Sequence, residues 1–138
     1  MGRMIRDHRD LICWQRADEL RQLIIKHTNA GTPASRDHRF TINLRDAVAS
    51  GCRNQAEGFY KYWHSEQRPF FKTARGSLGE TKDGIQEGVE RGYFTADVAD
   101  LMFSLCKRAS KANLNWLKSL KRRDPKKDRG DQRRADYP

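Results

Sequence analysis

The chain has 138 residues, and its 28 Lys and Arg residues against 18 Asp and Glu residues give a formal net charge of +10 at pH 7. This length suits one domain and is too short for a Rossmann, TIM-barrel or kinase architecture, while the charge favours nucleic acid, an anionic membrane surface or an acidic protein as the partner. No apolar run approaches the roughly 18 residues that a membrane span needs, and the first residues lack the apolar core of a secretory signal, so we expect a cytoplasmic protein with no membrane partner.

After an N-terminal extension, residues 1–9, the first helix is predicted over residues 10–29. Its apolar face recurs at spacings of four, three and four residues and comprises Cys13, Ala17, Leu20 and Ile24. The sequence 30–35, which contains Gly and Pro, is expected to end this helix. The second helix is predicted over residues 39–59, with an apolar arc that comprises Phe40, Leu44, Ala47, Val48, Gly51 and Phe59.

The third helix is predicted after the connection 60–65, with Ser65 as its N-cap and Pro69 in its first turn. Its apolar stripe comprises Phe70, Ala74, Leu78, Thr81, Ile85 and Val89. Gly92 is expected to end this helix and Thr95 to cap the fourth. The apolar residues of the fourth helix alternate at spacings of four and three residues: Val98, Met102, Leu105, Ala109, Ala112 and Trp116.

No segment alternates at period two for long enough to predict a strand. Four amphipathic helices with short connections predict an all-α fold, an antiparallel up-down four-helix bundle over residues 10–120. After residue 120 the apolar pattern gives way to charged residues, which predicts a flexible basic tail over residues 121–138. From Lys118 onward there are nine basic and four acidic residues, which account for about half of the net charge.

The fourth helix and the start of the tail form the main candidate binding surface. Between residues 101 and 123 there are seven basic residues and no acidic one. Phosphate groups would bind such a surface with strong salt dependence and little base preference, whereas the alternative is a solvated face without a partner. The candidate nucleic-acid contacts are Lys107, Arg108, Lys111, Lys118, Lys121, Arg122 and Arg123.

Other features predict contacts between copies of the chain. The third helix carries an acidic stripe, which is either solvated or paired with a basic face of a neighbouring subunit, and it comprises Glu80, Asp83, Glu87 and Glu90. The four glycines of this helix predict close approach of another backbone, and apolar residues recur outside the predicted core on the second and fourth helices. The candidate oligomer contacts are Ile42, Ala49, Ala56, Gly76, Gly79, Phe103, Leu114 and Leu117.

The connection between the second and third helices places Tyr60, Tyr62 and Trp63 beside Lys61 and His64. Exposed aromatic rings at this position would stack on unpaired bases. The alternative is that the rings cover the end of the bundle or contact the next subunit.

No catalytic or metal-binding motif occurs in the sequence. No Glu is followed three residues later by His, as di-iron bundles require, and there is no zinc-protease motif, P-loop or nucleophile elbow. Cys13, Cys52 and Cys106 are far apart and lack a C-x-x-C pair, which predicts reduced thiols at packing positions. We therefore expect a protein that is not an enzyme and holds no cofactor or metal.

Four short sequences resemble a known family in their order and spacing. They are D-L-I-C-W-Q-R-A at 10–17, N-Q-A-E-G-F at 54–59, A-R-G-S-L-G-E at 74–80 and R-G-Y-F-T at 91–95. Over residues 8–120 the chain is similar to the bacterial four-helix-bundle proteins encoded in intervening sequences of large-subunit ribosomal RNA genes. The resemblance implies a basic homo-oligomer, commonly a pentameric ring of bundles, without known catalytic activity.

The fold is also similar to that of the accessory variability proteins of diversity-generating retroelements, which form basic pentamers that bind a reverse transcriptase and its template RNA. The first functional hypothesis is a non-enzymatic, ring-forming protein that binds nucleic acid, RNA in particular, and the A-E-G-F and R-G-S-L motifs favour it. The second is an accessory subunit of such a retroelement, with its reverse transcriptase as partner. A third is an oligomer whose charged stripes serve only self-assembly.

Overall fold

The computed structural model describes residues 4–123, and their side chains as far as Lys121. Within this range there are four α-helices, two short 3-10 turns and no strand. The turns are His8–Asp10 and Pro33–Arg36, and the helices are α1 (Ile12–Thr28), α2 (His38–Phe59), α3 (His64–Glu90) and α4 (Ala96–Arg123). No described helix is long and apolar enough to cross a membrane. The all-α prediction is therefore confirmed.

Each helix packs against the next one along the chain, and α1 also packs against α4. Near the start of α2, Arg45 donates from Nη2 to Oδ1 of Asn29, just after the end of α1, at 2.9 Å. The ring of Phe71, near the start of α3, lies 6.1 Å from that of Trp116, near the end of α4. The described helices thus run antiparallel to their neighbours, as an up-down four-helix bundle does.

Two clusters of buried side chains form the core. The larger cluster joins all four helices through residues such as Leu20, Leu44, Leu78 and Met102, each of which is at most 2% exposed. Burial of each such side chain contributes about 1.5–3 kcal/mol. The smaller cluster closes one end of the bundle and comprises Leu11, Cys13, Phe71 and Leu120. The predicted apolar faces of α1 and α2 are buried as expected, except that Phe59 is half-buried.

The start of α3 differs from the prediction. The helix begins at His64 rather than after Ser65, and the backbone N–H of Trp63 donates to Oε1 of Glu66 at 3.1 Å. Pro69 is therefore the sixth residue of α3 and lies in the second turn, where it removes one backbone hydrogen bond. Four of the six predicted stripe residues of α3 are buried, but at its ends Phe71 is buried in place of Phe70 and Gly88 in place of Val89, both of which are half-buried.

The core face of α4 is also rotated from the predicted stripe. Met102 and Ala109 are buried as expected, but the remaining four predicted residues are only half-buried. The buried set is Ala99, Met102, Cys106, Ala109, Asn113 and Leu120. Ala99, Cys106, Asn113 and Leu120 were absent from the predicted stripe.

The turn between α3 and α4 follows the predicted signals. Gly92 has a φ of +75°, in the left-handed region that favours glycine. The N–H groups of Gly92 and Tyr93 donate to the carbonyls of Val89 and Gly88 at 3.0 and 2.8 Å, which is the Schellman pattern. Thr95 then accepts from the N–H of Val98 at 3.4 Å. Both the Gly92 and the Thr95 predictions are confirmed.

Two structural features lie at the predicted boundaries of the domain. The turn His8–Asp10 packs on the bundle, where the backbone N–H of His8 donates to the hydroxyl of Tyr60 at 3.3 Å. At the other end, α4 continues to Arg123, so the first three residues assigned to the tail are helical. The rest of the predicted tail, residues 124–138, lies outside the described residues.

Candidate nucleic-acid interface

The basic side chains of α4 point away from the core. The candidate contacts with described side chains are all exposed, and they are Lys107, Arg108, Lys111, Lys118 and Lys121. Arg122 and Arg123 belong to the last turn of α4, and their side chains lie outside the described residues. At about 100° per residue, Lys107, Lys111 and Lys118 fall within about 40° of one line along the helix, whereas Arg108 lies about a quarter turn away.

A second row of cations, on α3, lies beside this line. Arg75 donates from Nη1 to the carbonyl oxygen of Ser110 at 3.3 Å, which places its guanidinium in the seam between α3 and α4. Lys72 and Lys82 are exposed on the same edge of α3, three residues before and seven residues after Arg75. We call the two rows the basic ridge: Lys72, Arg75 and Lys82 of α3 with Lys107, Lys111 and Lys118 of α4.

The α3 row was absent from the sequence-based set of contacts. Its spacing of three and seven residues marks one helix edge and was readable in the sequence. That this edge faces α4 rather than α2 depends on the rotation of α3 in the bundle, which the sequence pattern did not specify.

The cations of the basic ridge have no carboxylate partner in the part of the chain that the structure describes. Within residues 4–123, none of the six side chains forms an ion pair. Elsewhere on the surface Arg16, Arg21 and Arg91 each bind a carboxylate at 3.3 Å or less. The ridge therefore concentrates positive charge that remains available to an anionic partner.

The edge of α3 toward α2 carries most of the predicted acidic stripe, whose four carboxylates are all exposed. Two shallow grooves between this edge and α2, of about 160 and 280 Å³, are lined by Glu80, Asp83, Glu87 and, from α2, Asp46. Glu87 also pairs with Arg91 at 2.9 Å. Three carboxylates of α3 thus line the α2 side of the helix, whereas Arg75 reaches toward α4.

The candidate oligomer contacts fall on two separate surfaces. On the outer face of α2, Ile42 is 59% exposed, and Ala49 and Ala56 follow at intervals of seven residues and are half-buried. On α4, Phe103, Leu114 and Leu117 are half-buried. They share a helix edge with Ser110, whose carbonyl accepts from Arg75 of α3. Phe103 and Leu117 pack partly against the chain's own core. The structure does not bring these two sets together within one chain.

Of the two exposed glycines of α3, Gly79 lies at the basic ridge. Gly79 falls on the line between Arg75 and Lys82, and a Cβ atom added at Gly76 or Gly79 would meet no atom within 4 Å. Close approach occurs instead at Gly84 and Gly88, where an added Cβ would lie 2.8 Å from Cδ1 of Leu44 and 2.9 Å from Cζ of Phe40, respectively. The glycines that allow close packing therefore serve contacts within the chain.

The aromatic connection is partly packed and partly exposed. The ring of Tyr60 lies 5.7 Å from that of His8, whose Nδ1 is 3.1 Å from the Tyr60 hydroxyl. Nζ of Lys61 lies 5.2 Å from the centre of the Phe70 ring. Tyr62 is 80% exposed, with its ring 4.4 Å from that of Trp63 in an edge-to-face arrangement. Covering the end of the bundle explains Tyr60, but it does not explain Tyr62.

Two fully buried amides connect the four helices near the aromatic end. Gln55 donates from Nε2 to the Cys13 carbonyl at 3.2 Å, and Asn113 donates from Nδ2 to Oε1 of Gln55 at 3.0 Å. The same Nδ2 lies 3.1 Å from the Phe71 carbonyl. Sequence reasoning missed this network, although Asn113 fits the spacing of the buried residues of α4. The network fixes the relative position of the helices that carry the ridge.

An apolar groove of about 530 Å³ lies between the start of α1 and the second half of α4. Its lining includes Ile12, which is 61% exposed, and Trp116. The groove lies on the α1 side of α4, whereas the basic ridge follows the α3 side. The basic ridge, which holds the candidate phosphate contacts, therefore lies outside this groove.

The three cysteines are free and buried, which confirms the expectation of reduced thiols at packing positions. Burial raises the pKa of Cys13 to about 12 and that of Cys52 to about 11, and it also raises the pKa of Cys106. These thiols are therefore protonated at neutral pH. Within residues 4–123, no group of three or more His, Cys, Asp or Glu side chains is arranged to hold a metal ion.

Comparison with known families matches the resemblance seen in the sequence motifs. The sequence model of the 23S rRNA-intervening sequence protein family matches residues 9–115, which include α1, α2, α3 and most of α4. No curated protein matches the chain. The matched range is well over half of the sequence and agrees with the all-α fold, so the chain belongs to the 23S rRNA-intervening sequence protein family.

Proposed function

We propose that this protein binds RNA through the basic ridge and acts by binding rather than by catalysis. The observation behind this proposal is that two antiparallel helices align six cations, three from each helix, and that no carboxylate among residues 4–123 pairs with them. The six positive charges repel one another, so their alignment does not stabilise the folded state. Membership of an rRNA-related family makes RNA the anion to test first, in the cytoplasm where we expect the protein to be.

The ridge suits phosphate groups better than base edges. Lysine ammonium groups are flexible point charges, and contacts from them to phosphates carry no sequence information. Each neutralised phosphate releases counterions, so affinity depends on salt. Six such contacts predict about a thousandfold loss of affinity between 50 and 200 mM salt.

Fluorescence anisotropy with a labelled RNA hairpin tests this proposal on the full chain. We expect Lys111→Glu with Lys118→Glu to weaken binding by at least tenfold and to flatten its salt dependence. The matched control is Lys26→Glu with Arg39→Glu, which changes the net charge equally at exposed positions of α1 and α2. Binding that ignores salt, or that falls equally in both variants, contradicts a role for the ridge.

We further propose that copies of the chain assemble, with the outer face of α2 as one contact surface. Ile42 is 59% exposed, and the half-buried Ala49 and Ala56 follow it at intervals of seven residues along one helix face. A ring requires two different surfaces on each subunit, and the structure separates the candidate residues of α2 from those of α4 in that way. The pentameric state is the subunit number that the family resemblance implies.

Native mass spectrometry of the untreated and nuclease-treated protein measures the assembly. We expect the wild-type protein to form an oligomer that persists after nuclease treatment. The Ile42→Glu variant should be a monomer. A monomeric wild-type protein at micromolar concentration rejects the proposal. Dissociation at high salt alone would instead support the hypothesis that charged stripes drive self-assembly.

The hypothesis that the protein is an accessory subunit of a reverse transcriptase rests on its resemblance to the accessory variability proteins. The same ridge would hold template RNA in that role, so RNA binding does not separate the two functions. The neighbouring genes do: a reverse transcriptase gene with a template repeat favours the accessory role, and a ribosomal RNA locus favours the first proposal.

A further inference from the structure

We propose that Tyr62 stacks on an unpaired RNA base, so that the preferred ligand is an RNA duplex with a single-stranded extension rather than a blunt duplex. This inference rests on the proposed function, because the basic ridge must first hold the phosphates. Tyr62 is 80% exposed, the largest exposed fraction among the large hydrophobic side chains of the described residues. A side chain left in water to this extent contributes nothing to the core.

The position of Tyr62 places it beyond one end of the basic ridge. The residue immediately precedes the Trp63 cap of α3, and Lys72 is eight residues after the first residue of the helix. At 1.5 Å per residue, about 12 Å of helix separates the start of α3 from Lys72. This length corresponds to a few stacked base pairs. The antiparallel packing brings Lys118, near the end of α4, to this same end of the bundle.

The surroundings of Tyr62 hold the ring without covering it. Trp63 supports it at a centroid distance of 4.4 Å with an interplanar angle of 86°. Trp63 is half-buried, and its backbone N–H is fixed by Glu66 at 3.1 Å. The neighbouring Lys61 supplies a cation in the same connection. A supported, exposed aromatic ring beside cations is the arrangement on which single-stranded bases stack.

The chemistry of stacking also defines the selectivity to expect. Every base has a π-face, so the ring discriminates unpaired from paired bases and not one base from another. In a blunt duplex the terminal bases are engaged in pairs, and the phosphates alone contact the ridge. The single-stranded extension adds one stacking contact, which corresponds to about tenfold in affinity.

The experiment measures binding of the full chain to two labelled RNAs, a blunt duplex of two annealed strands and the same duplex with a four-nucleotide single-stranded extension. We expect wild type to prefer the extended RNA by about tenfold. Tyr62→Ala should abolish this preference without changing the affinity for the blunt duplex, and Tyr62→Phe should retain it. Lys111→Glu with Lys118→Glu should weaken both complexes and leave the ratio unchanged.

A 2-aminopurine at the first unpaired position provides a second readout. We expect its fluorescence to fall when wild type or Tyr62→Phe binds, and to stay constant with Tyr62→Ala. The inference is wrong if Tyr62→Ala keeps the preference for the extended RNA or the quenching. If blunt duplex binds but the extension adds nothing, the stacking site fails while the ridge stands. If neither RNA binds wild type, the proposed function and this inference fail together.

A third measurement separates RNA contact from contact between copies. Native mass spectrometry of Tyr62→Ala should give the same oligomer as wild type. A changed oligomer together with an unchanged preference assigns Tyr62 to the interface between subunits and contradicts the stacking role.

Discussion

The two edges of α3 are built in different ways, although they belong to one continuous helix. Toward α2, glycines allow close apolar contact, as where Leu44 approaches Gly84. Toward α4, side chains reach backbone carbonyls, as in the contacts of Arg75 with Ser110 and of Asn113 with Phe71. Glu80, Asp83 and Glu87 line grooves beside the close-packed edge, and Arg75 reaches α4 at the hydrogen-bonded edge. The two edges of α3 therefore differ in the kind of contact that holds them to their neighbours.

The largest effect should come from filling the close-packed edge. In Gly88→Ala, the new Cβ would collide with the ring of Phe94 and lie 2.9 Å from that of Phe40, and rigid rings cannot yield cheaply. We expect the free energy of unfolding to fall by about 3 kcal/mol. Gly79→Ala, on the edge toward α4, should raise the free energy of unfolding by up to about 1 kcal/mol, because only the helix propensity changes there. Urea unfolding of both variants measures the difference, and equal effects would contradict the contrast between the edges.

Loss of the buried Asn113 amide, which joins α4 to α2 and α3, should lower the free energy of unfolding. Asn113→Leu leaves the Oε1 acceptor of Gln55 without its donor, so we expect a loss of about 2 kcal/mol. Replacing both residues, in Gln55→Leu with Asn113→Leu, removes the unsatisfied group and should recover part of that loss. Urea unfolding of the two single variants and the double variant forms a double-mutant cycle. Strict additivity would show that the two amides act independently.

A smaller, pH-dependent effect is expected where the close-packed edge meets the N-terminus of α2. The Tyr93 hydroxyl donates to Asp37 at 2.6 Å, and this bond, with the Phe40 N–H and the charge of Arg91, lowers the Asp37 pKa below its ordinary value of 3.8. A carboxyl with a lowered pKa in the folded state stabilises the protein above its ordinary pKa, and that contribution is lost as the pH falls.

Thermal melting of Asp37→Asn and Tyr93→Phe therefore tests the sign of this effect. Both variants should melt below wild type at pH 7, and the differences should shrink as the pH falls below 3.8. A difference that stays constant or widens in acid would show that the Asp37 carboxylate does not contribute in this way.

Periodicity predicted much of the fold because the relevant signals are local. The buried faces of α1 and α2, Gly92 at the end of α3 and the Thr95 cap were all readable from spacing and residue type. The errors came where a neighbour decided the rotation. Phe71 replaces Phe70 in the core, and the predicted Ser65 cap is not used, because the contacts of α3 with α2 and α4 set its register.

The sequence predicted one of the two rows of cations in the candidate site. The α4 row stood out because its basic residues are uninterrupted by acidic ones, and all its described members are exposed. The α3 row was hidden because Lys72, Arg75 and Lys82 share their helix with the acidic stripe. A charge count along the chain averages the two edges of α3 and removes the signal.

By itself, the sequence determined the four helices, the family and the positive charge, because helical period, capping and motif spacing are properties of neighbouring residues. Only the tertiary structure decided that the cations of α3 lie beside those of α4 and that Gln55 meets Asn113. The physical reason is that periodicity fixes which residues share a face, whereas packing against partners distant in the chain fixes where that face points.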